Sequence, residues 1–188
     1  MIRILHLTDF HLNKRTLKDW NDFYKKAFFE KLDELQKEKI IDLVAFTGDL
    51  IDKGGIDFKV NGDTASPATK GFGIFRKEII IPILEKLNLD IDRFIICPGN
   101  HDINRYADDE FDENGMKSTL VTTEKVIEFI DKNDKENSFK RIERIREYKN
   151  FEIELYGKIT ENKVHSLFKF SLVREINGIK VGISSLNS

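Results

Sequence analysis

Three short apolar runs, each stopped by a polar or turn-forming residue, organise the first hundred residues of this chain. Residues 2–8 are rich in branched apolar side chains, and 41–47 and 93–97 repeat the pattern. Short continuous apolar runs with such boundaries predict strands buried on both faces. His6, between Leu5 and Leu7, is expected to pack within the first of them. Between the runs the period becomes helical. Leu17, Trp20, Tyr24, Ala27, Phe28, Leu32 and Leu35 keep spacings of three or four, which predicts a helix over 17–37 with Thr16 as its N-cap. A second helix is predicted over 72–87, kinked or shifted in its start by Pro82. The intervening segment 52–71, full of Gly, Asp and small polar residues, reads as a long loop of the kind that carries function. Strand, helix, strand, helix, strand in that order predicts an α/β fold, a parallel sheet with helices on its faces. Ligand chemistry in such sheets belongs at the C-terminal ends of the strands.

The character changes after residue 105. Segment 106–165 is densely charged, with helices expected over 122–133 and 138–155, and reads as a helical insertion or cap. Its basic run, Lys140, Arg141, Arg144, Arg146 and Lys149, is interleaved with Glu143 and Glu147, so helical pairing explains it as a solvated face. Residues 166–174 and 179–184 predict a hairpin across Asn177-Gly178. The chain thus divides into 1–105, the insertion 106–165, and 166–188 as the start of a second sheet.

Composition narrows the classes. Forty per cent of the 188 residues are hydrophobic, enough for one core, and the 15 phenylalanines are expected to fill it. Opposite charges almost cancel to a net of −2, which argues against a globally basic nucleic-acid binder. Cys97, the only cysteine, rules out an internal disulfide framework and suits a reducing compartment; it is expected to be buried without a redox role. The first apolar run meets Asp9 too soon for a signal segment or a membrane span, so a cytoplasmic, membrane-free protein is expected.

Each predicted strand ends in residues able to carry chemistry. Asp9-Phe10-His11 follows the first, and side chains two apart in an extended segment can reach one ion. A carboxylate with an imidazole suits manganese, iron or zinc. Gly48-Asp49-Leu50-Ile51-Asp52 follows the second. The glycine permits a sharp exit, and a carboxylate there has lone pairs enough to bridge two metals. Asp52 would stand behind it, as a supporting acceptor or a helix cap. Gly99-Asn100-His101-Asp102 follows the third. There the Asn amide oxygen is a neutral ligand, His101 can donate a proton or stabilise an oxyanion, and Asp102 can orient its ring.

D-x-H, G-D-x-x-D and G-N-H-D, in this order and each directly after an apolar run, resemble the calcineurin-like metallophosphoesterase superfamily. The resemblance covers residues 1–102 well and the stretch ending Ser184-Ser185-Leu186-Asn187-Ser188 more loosely. It implies two divalent ions, Mn²⁺ foremost with Fe, Zn or Mg as others, held by Asp9, His11, Asp49 and Asn100, with Asp49 shared. It also implies hydrolysis of a phosphomonoester or phosphodiester by a hydroxide that the two metals activate, assisted by His101. The substrate class stays open among nucleotides, phosphoproteins and nucleic acids. A manganese-dependent nuclease and a nucleotide-binding regulatory module of a larger protein are the alternatives. The family also carries G-H and G-H-x-H segments, whereas the histidines here are His6, His11, His101 and His165. His165 fits neither segment, so the chain is expected to lack ligands that other domain parts supply and to turn over poorly alone.

Overall fold

The computed structural model describes residues 1–186 apart from Tyr106, Asp108 and Asp109; the side chains of Glu110, Asp112 and Glu113 also fall outside the description. Asn187 and Ser188, which close the more loosely resembling stretch, lie outside it too. Strands β1 (Ile4–Leu7), β2 (Leu43–Thr47) and β3 (Phe94–Cys97) form the expected parallel sheet, with β2 in the centre. The register sets Leu5 and Leu7 beside Val44 and Phe46, and those beside Phe94 and Ile96, so these six residues share one face. Helices cover it, and Val44, Phe46, Phe94 and Ile96 are buried. The opposite face is open along β1. His6 is exposed there, not packed as expected, and its Nε2 lies 2.6 Å from Thr47 Oγ1. β1 is an edge strand with one covered face, which a continuous apolar run cannot reveal.

The first helical rod combines α1 (Lys14–Asp19), a π turn (Trp20–Tyr24) and α2 (Lys25–Glu38). It starts earlier than expected. Asn13 is the N-cap, and Thr16 is the third helical residue, whose hydroxyl accepts from the Asn13 N–H in a capping box. The second rod runs from α3 (Pro67–Phe75) through a π turn (Arg76–Ile80) to α4 (Ile81–Leu87). Pro82 has no N–H to give, and the ladder absorbs this with a five-residue bond from Ile81 N–H to the Arg76 carbonyl just before it. The 52–71 loop is therefore shorter than expected. Lys53–Phe58 forms 3₁₀ turns, and α3 already begins at Pro67.

After β3 come α5 (Glu110–Thr119), which the sequence reading missed, α6 (Thr123–Glu136) and α7 (Arg146–Tyr156). A short strand β4 (Lys163–His165), also missed, joins the hairpin of β5 (Lys169–Ile176) and β6 (Ile179–Leu186) in an antiparallel sheet. Residue 165 marks no break in packing. From α7, Phe151 stacks on Phe72 of α3 at 4.8 Å, and Tyr156 stacks on Phe170 of β5 at 4.1 Å. Nor is the basic run wholly solvated. Lys140 and Arg141 are exposed, but Lys149 is fully buried against Glu152, which also meets His165 Nε2 at 2.7 Å. Lys149 falls on the stripe of α7 that carries Tyr148 and Tyr156 inward, and the helix period outweighs its charge because Glu152 lies beside it. Burial holds the Lys149 ammonium below its ordinary pKa, with Glu152 opposing that shift.

Tyr156 also closes the sheet. Its hydroxyl accepts from the Ile96 N–H at 3.0 Å and donates to the Phe94 carbonyl at 2.8 Å, so a side chain stands where a neighbouring strand would pair with β3. Tyr156→Phe is expected to lower stability by about 2 kcal/mol, the cost of leaving buried backbone groups unpaired. Chemical denaturation checks it, and a change under about 0.5 kcal/mol would count against the role.

Candidate metal centre

The three strand ends deliver three loops to one place, and the backbone binds the first two together. Asp9 N–H donates to the Gly48 carbonyl, His11 N–H to the Asp49 carbonyl and Leu12 N–H to the Leu50 carbonyl, at 3.2, 2.8 and 3.0 Å. This zipper leaves Asp9, His11 and Asp49 in the left-handed region, with φ of 56°, 49° and 53°. Non-glycine residues rarely adopt it, and such strain concentrates where function holds it in place. The segment is therefore not extended as the D-x-H reading assumed. Asp9 and His11 converge because two left-handed residues turn the loop, not because a strand alternates.

Gly48 and Gly99 let the second and third loops approach. A Cβ on Gly48, whose φ is +94°, would lie 3.3 Å from the Gly99 Cα. A Cβ on Gly99 would lie 2.2 Å from Asp49 Oδ1 and 2.4 Å from the Asp49 nitrogen, so only glycine fits there. The Asp49 carboxylate lies between all three loops. Oδ1 accepts from the His101 N–H at 2.9 Å, while Oδ2 lies 3.6 Å from His11 Nε2.

Asp9 Oδ1 is 3.7 Å from His11 Nε2, and ligand atoms of Asp9, His11 and Asp49 all fall within 4.8 Å of one another. Separations of 3.6 and 3.7 Å are too long for hydrogen bonds but suit atoms sharing an ion with bonds of about 2.1 Å. Two carboxylates and an imidazole match the divalent ions expected from the sequence, so this donor set fits a metal. The Thr8 hydroxyl, which the sequence reading missed, lies 2.6 Å from Asp9 Oδ2 and steadies that carboxylate. His11, Asp52 and His101 form a second cluster of the same size. There the 2.8 Å contact between His101 Nδ1 and Asp52 Oδ1 is a hydrogen bond, with no room for an ion between. We read that cluster as a hydrogen-bonded dyad beside a ligand set, with the His11 and His101 rings edge to face at 4.6 Å.

The carboxylate that orients His101 thus comes from Asp52, not from Asp102. Asp102 is buried and turned the other way, accepting from the Gly99 N–H at 2.8 Å and the Ile51 N–H at 2.9 Å. It clamps the third loop to the second. Burial lifts its carboxyl to about 6, partly offset by those N–H groups. A sequence neighbour of His101 was the obvious partner, but in the tight turn after β3 adjacent side chains diverge. Asn100 is exposed on the same turn, with its carbonyl accepting from Arg105 Nε at 3.3 Å.

A family model described as calcineurin-like phosphoesterase matches residues 2–178. That is nearly the whole chain, and it coincides with the parallel sheet and the loops that carry these side chains. The protein belongs to the calcineurin-like phosphoesterase family, whose members bind divalent metals and hydrolyse phosphate esters. No curated protein matched the chain in a separate sequence search. No helix among the described residues is long and apolar enough to cross a membrane.

Proposed function

We propose that this chain hydrolyses phosphate esters with two divalent ions, Asp9, His11 and Asp49 holding one, and Asp49 with Asn100 contributing to the other. The convergence of His11 Nε2 with Asp9 Oδ1 and Asp49 Oδ2 at 3.7 and 3.6 Å carries this reading. Ions bound there supply Lewis-acid polarisation of a phosphoryl oxygen and an acidified water. The chain's own residues orient and neutralise. Asp49 offers one oxygen to each neighbouring loop, so a single carboxylate fixes the spacing between them. His101 Nδ1 is engaged by Asp52, which leaves Nε2 as the ring atom for a phosphoryl oxygen or a departing alkoxide. The Asp52 carboxylate accepts a hydrogen bond from Nδ1–H, which fixes the ring and favours proton donation from Nε2. The Lys53 N–H, 3.4 Å from Nδ1, is the weaker neighbour of that atom.

Slow but Mn²⁺-dependent hydrolysis of bis-p-nitrophenyl phosphate or p-nitrophenyl phosphate is expected. His101→Ala should lower kcat by about 100-fold or more, and Asp52→Asn by about tenfold, with Mn²⁺ affinity little changed. Turnover that persists in chelator, or that ignores His101→Ala, would refute the assignment.

A further inference from the structure

A cleft of roughly 200 Å³ opens beside His101, lined by Lys53, Ile56, His101, Ile103, Asn104 and Arg105. Its size suits one ester substituent, not a whole polymer segment or a folded partner. Its chemistry is mixed. Ile56 and Ile103 give it apolar walls, and Ile56 stays 53% exposed although neighbouring Gly55 and Phe58 are buried. Lys53 and Arg105 add two cations, and Arg105 is tied through Nε to the carbonyl of Asn100, on the turn that carries His101.

The wall is also held in register with the dyad. Lys53, Gly54 and Gly55 are successive left-handed residues, with φ of 47°, 60° and 71°. Gly54 N–H donates to the His101 carbonyl at 2.8 Å, and a Cβ on Gly55 would meet the Pro67 carbonyl at 2.6 Å. The turn that carries Ile56 therefore cannot drift from His101 without breaking close backbone contacts, which is the preorganisation a specificity pocket needs. A phosphoserine side chain would leave both isoleucines unused. A flat ring with acceptor atoms on its edge would use the apolar walls and the cations together.

We propose that this cleft is the base-binding subsite for a nucleotide substrate, the ring lying against Ile56 and Ile103 and its polar edge meeting Arg105. This rests on the phosphoesterase reading above. AMP and ribose 5-phosphate share sugar and phosphate and differ only in the base, so they isolate the subsite. Titration calorimetry of the full chain with Mn²⁺ should show AMP binding at least about tenfold tighter than ribose 5-phosphate. Ile56→Glu places a carboxylate in the cleft, and with Arg105→Ala it should shrink that preference to about twofold. Mn²⁺ affinity and circular dichroism serve as controls for folding. Equal binding of the two ligands by the unaltered protein, or a preference indifferent to both substitutions, overturns the subsite. If Mn²⁺ itself strengthens neither ligand, the metal reading fails as well, so the two failures are distinguishable.

Discussion

Replacing Asp49 with asparagine is expected to abolish tight metal binding while leaving the fold standing. The amide keeps an oxygen to accept the His101 N–H, which Asp49 Oδ1 accepts at 2.9 Å, so the second and third loops stay joined. The group facing His11 loses its charge and, on the proposed reading, its place as an anionic ligand. Groups that merely support metal ligands cost 10–100-fold in affinity when mutated, and a ligand placed between three loops should cost about 100-fold or more. Mn²⁺ titration followed by electron paramagnetic resonance reads this directly. Without metal, the unfolding midpoint should move by less than about 4 °C, equivalent to some 1 kcal/mol for a chain of this size. Unchanged Mn²⁺ affinity in Asp49→Asn would remove the main support for the site.

The same small substitution at two glycines should act with opposite signs. Gly99→Ala drives a methyl to 2.2 Å from Asp49 Oδ1, and the colliding atoms belong to a loop held by backbone hydrogen bonds and by Asp102. Overpacking of that kind costs about 3 kcal/mol, and relief requires the two loops to part, so Mn²⁺ binding should fall with stability. Gly73→Ala, within α3, meets nothing within 4 Å and should stabilise by about 0.5–1 kcal/mol through helix propensity alone. Denaturation of both variants against the unaltered chain is the test. A neutral Gly99→Ala would mean that the glycine is not what lets the loops meet.

The buried Lys149–Glu152–His165 cluster shows what a count of charges can miss. Charge counted along the sequence suggested a solvated face, whereas the helix phase put one lysine inside, where only a partner three residues on made it tolerable. His6 failed in the opposite direction. Its apolar neighbours implied burial, but only the placement of β1 at a sheet edge determines whether both faces are covered.

Sequence alone determined the three strands, their parallel pairing and the residues at their tips. Continuous apolar runs, helical spacing between them and glycines at the exits are local properties, and each local preference agreed with the fold. It also named Asp9, His11, Asp49, Asn100, Asp52, His101 and Asp102 as the residues to watch. Only the tertiary structure decided which of them face each other. Left-handed backbone at three positions, a glycine pair without side chains and a zipper of main-chain hydrogen bonds set those distances. Such features arise from segments about forty and fifty residues apart pressing together, as in Asp9 to Gly48 and Asp49 to His101. For that reason Asp52, and not the adjacent Asp102, holds the His101 ring.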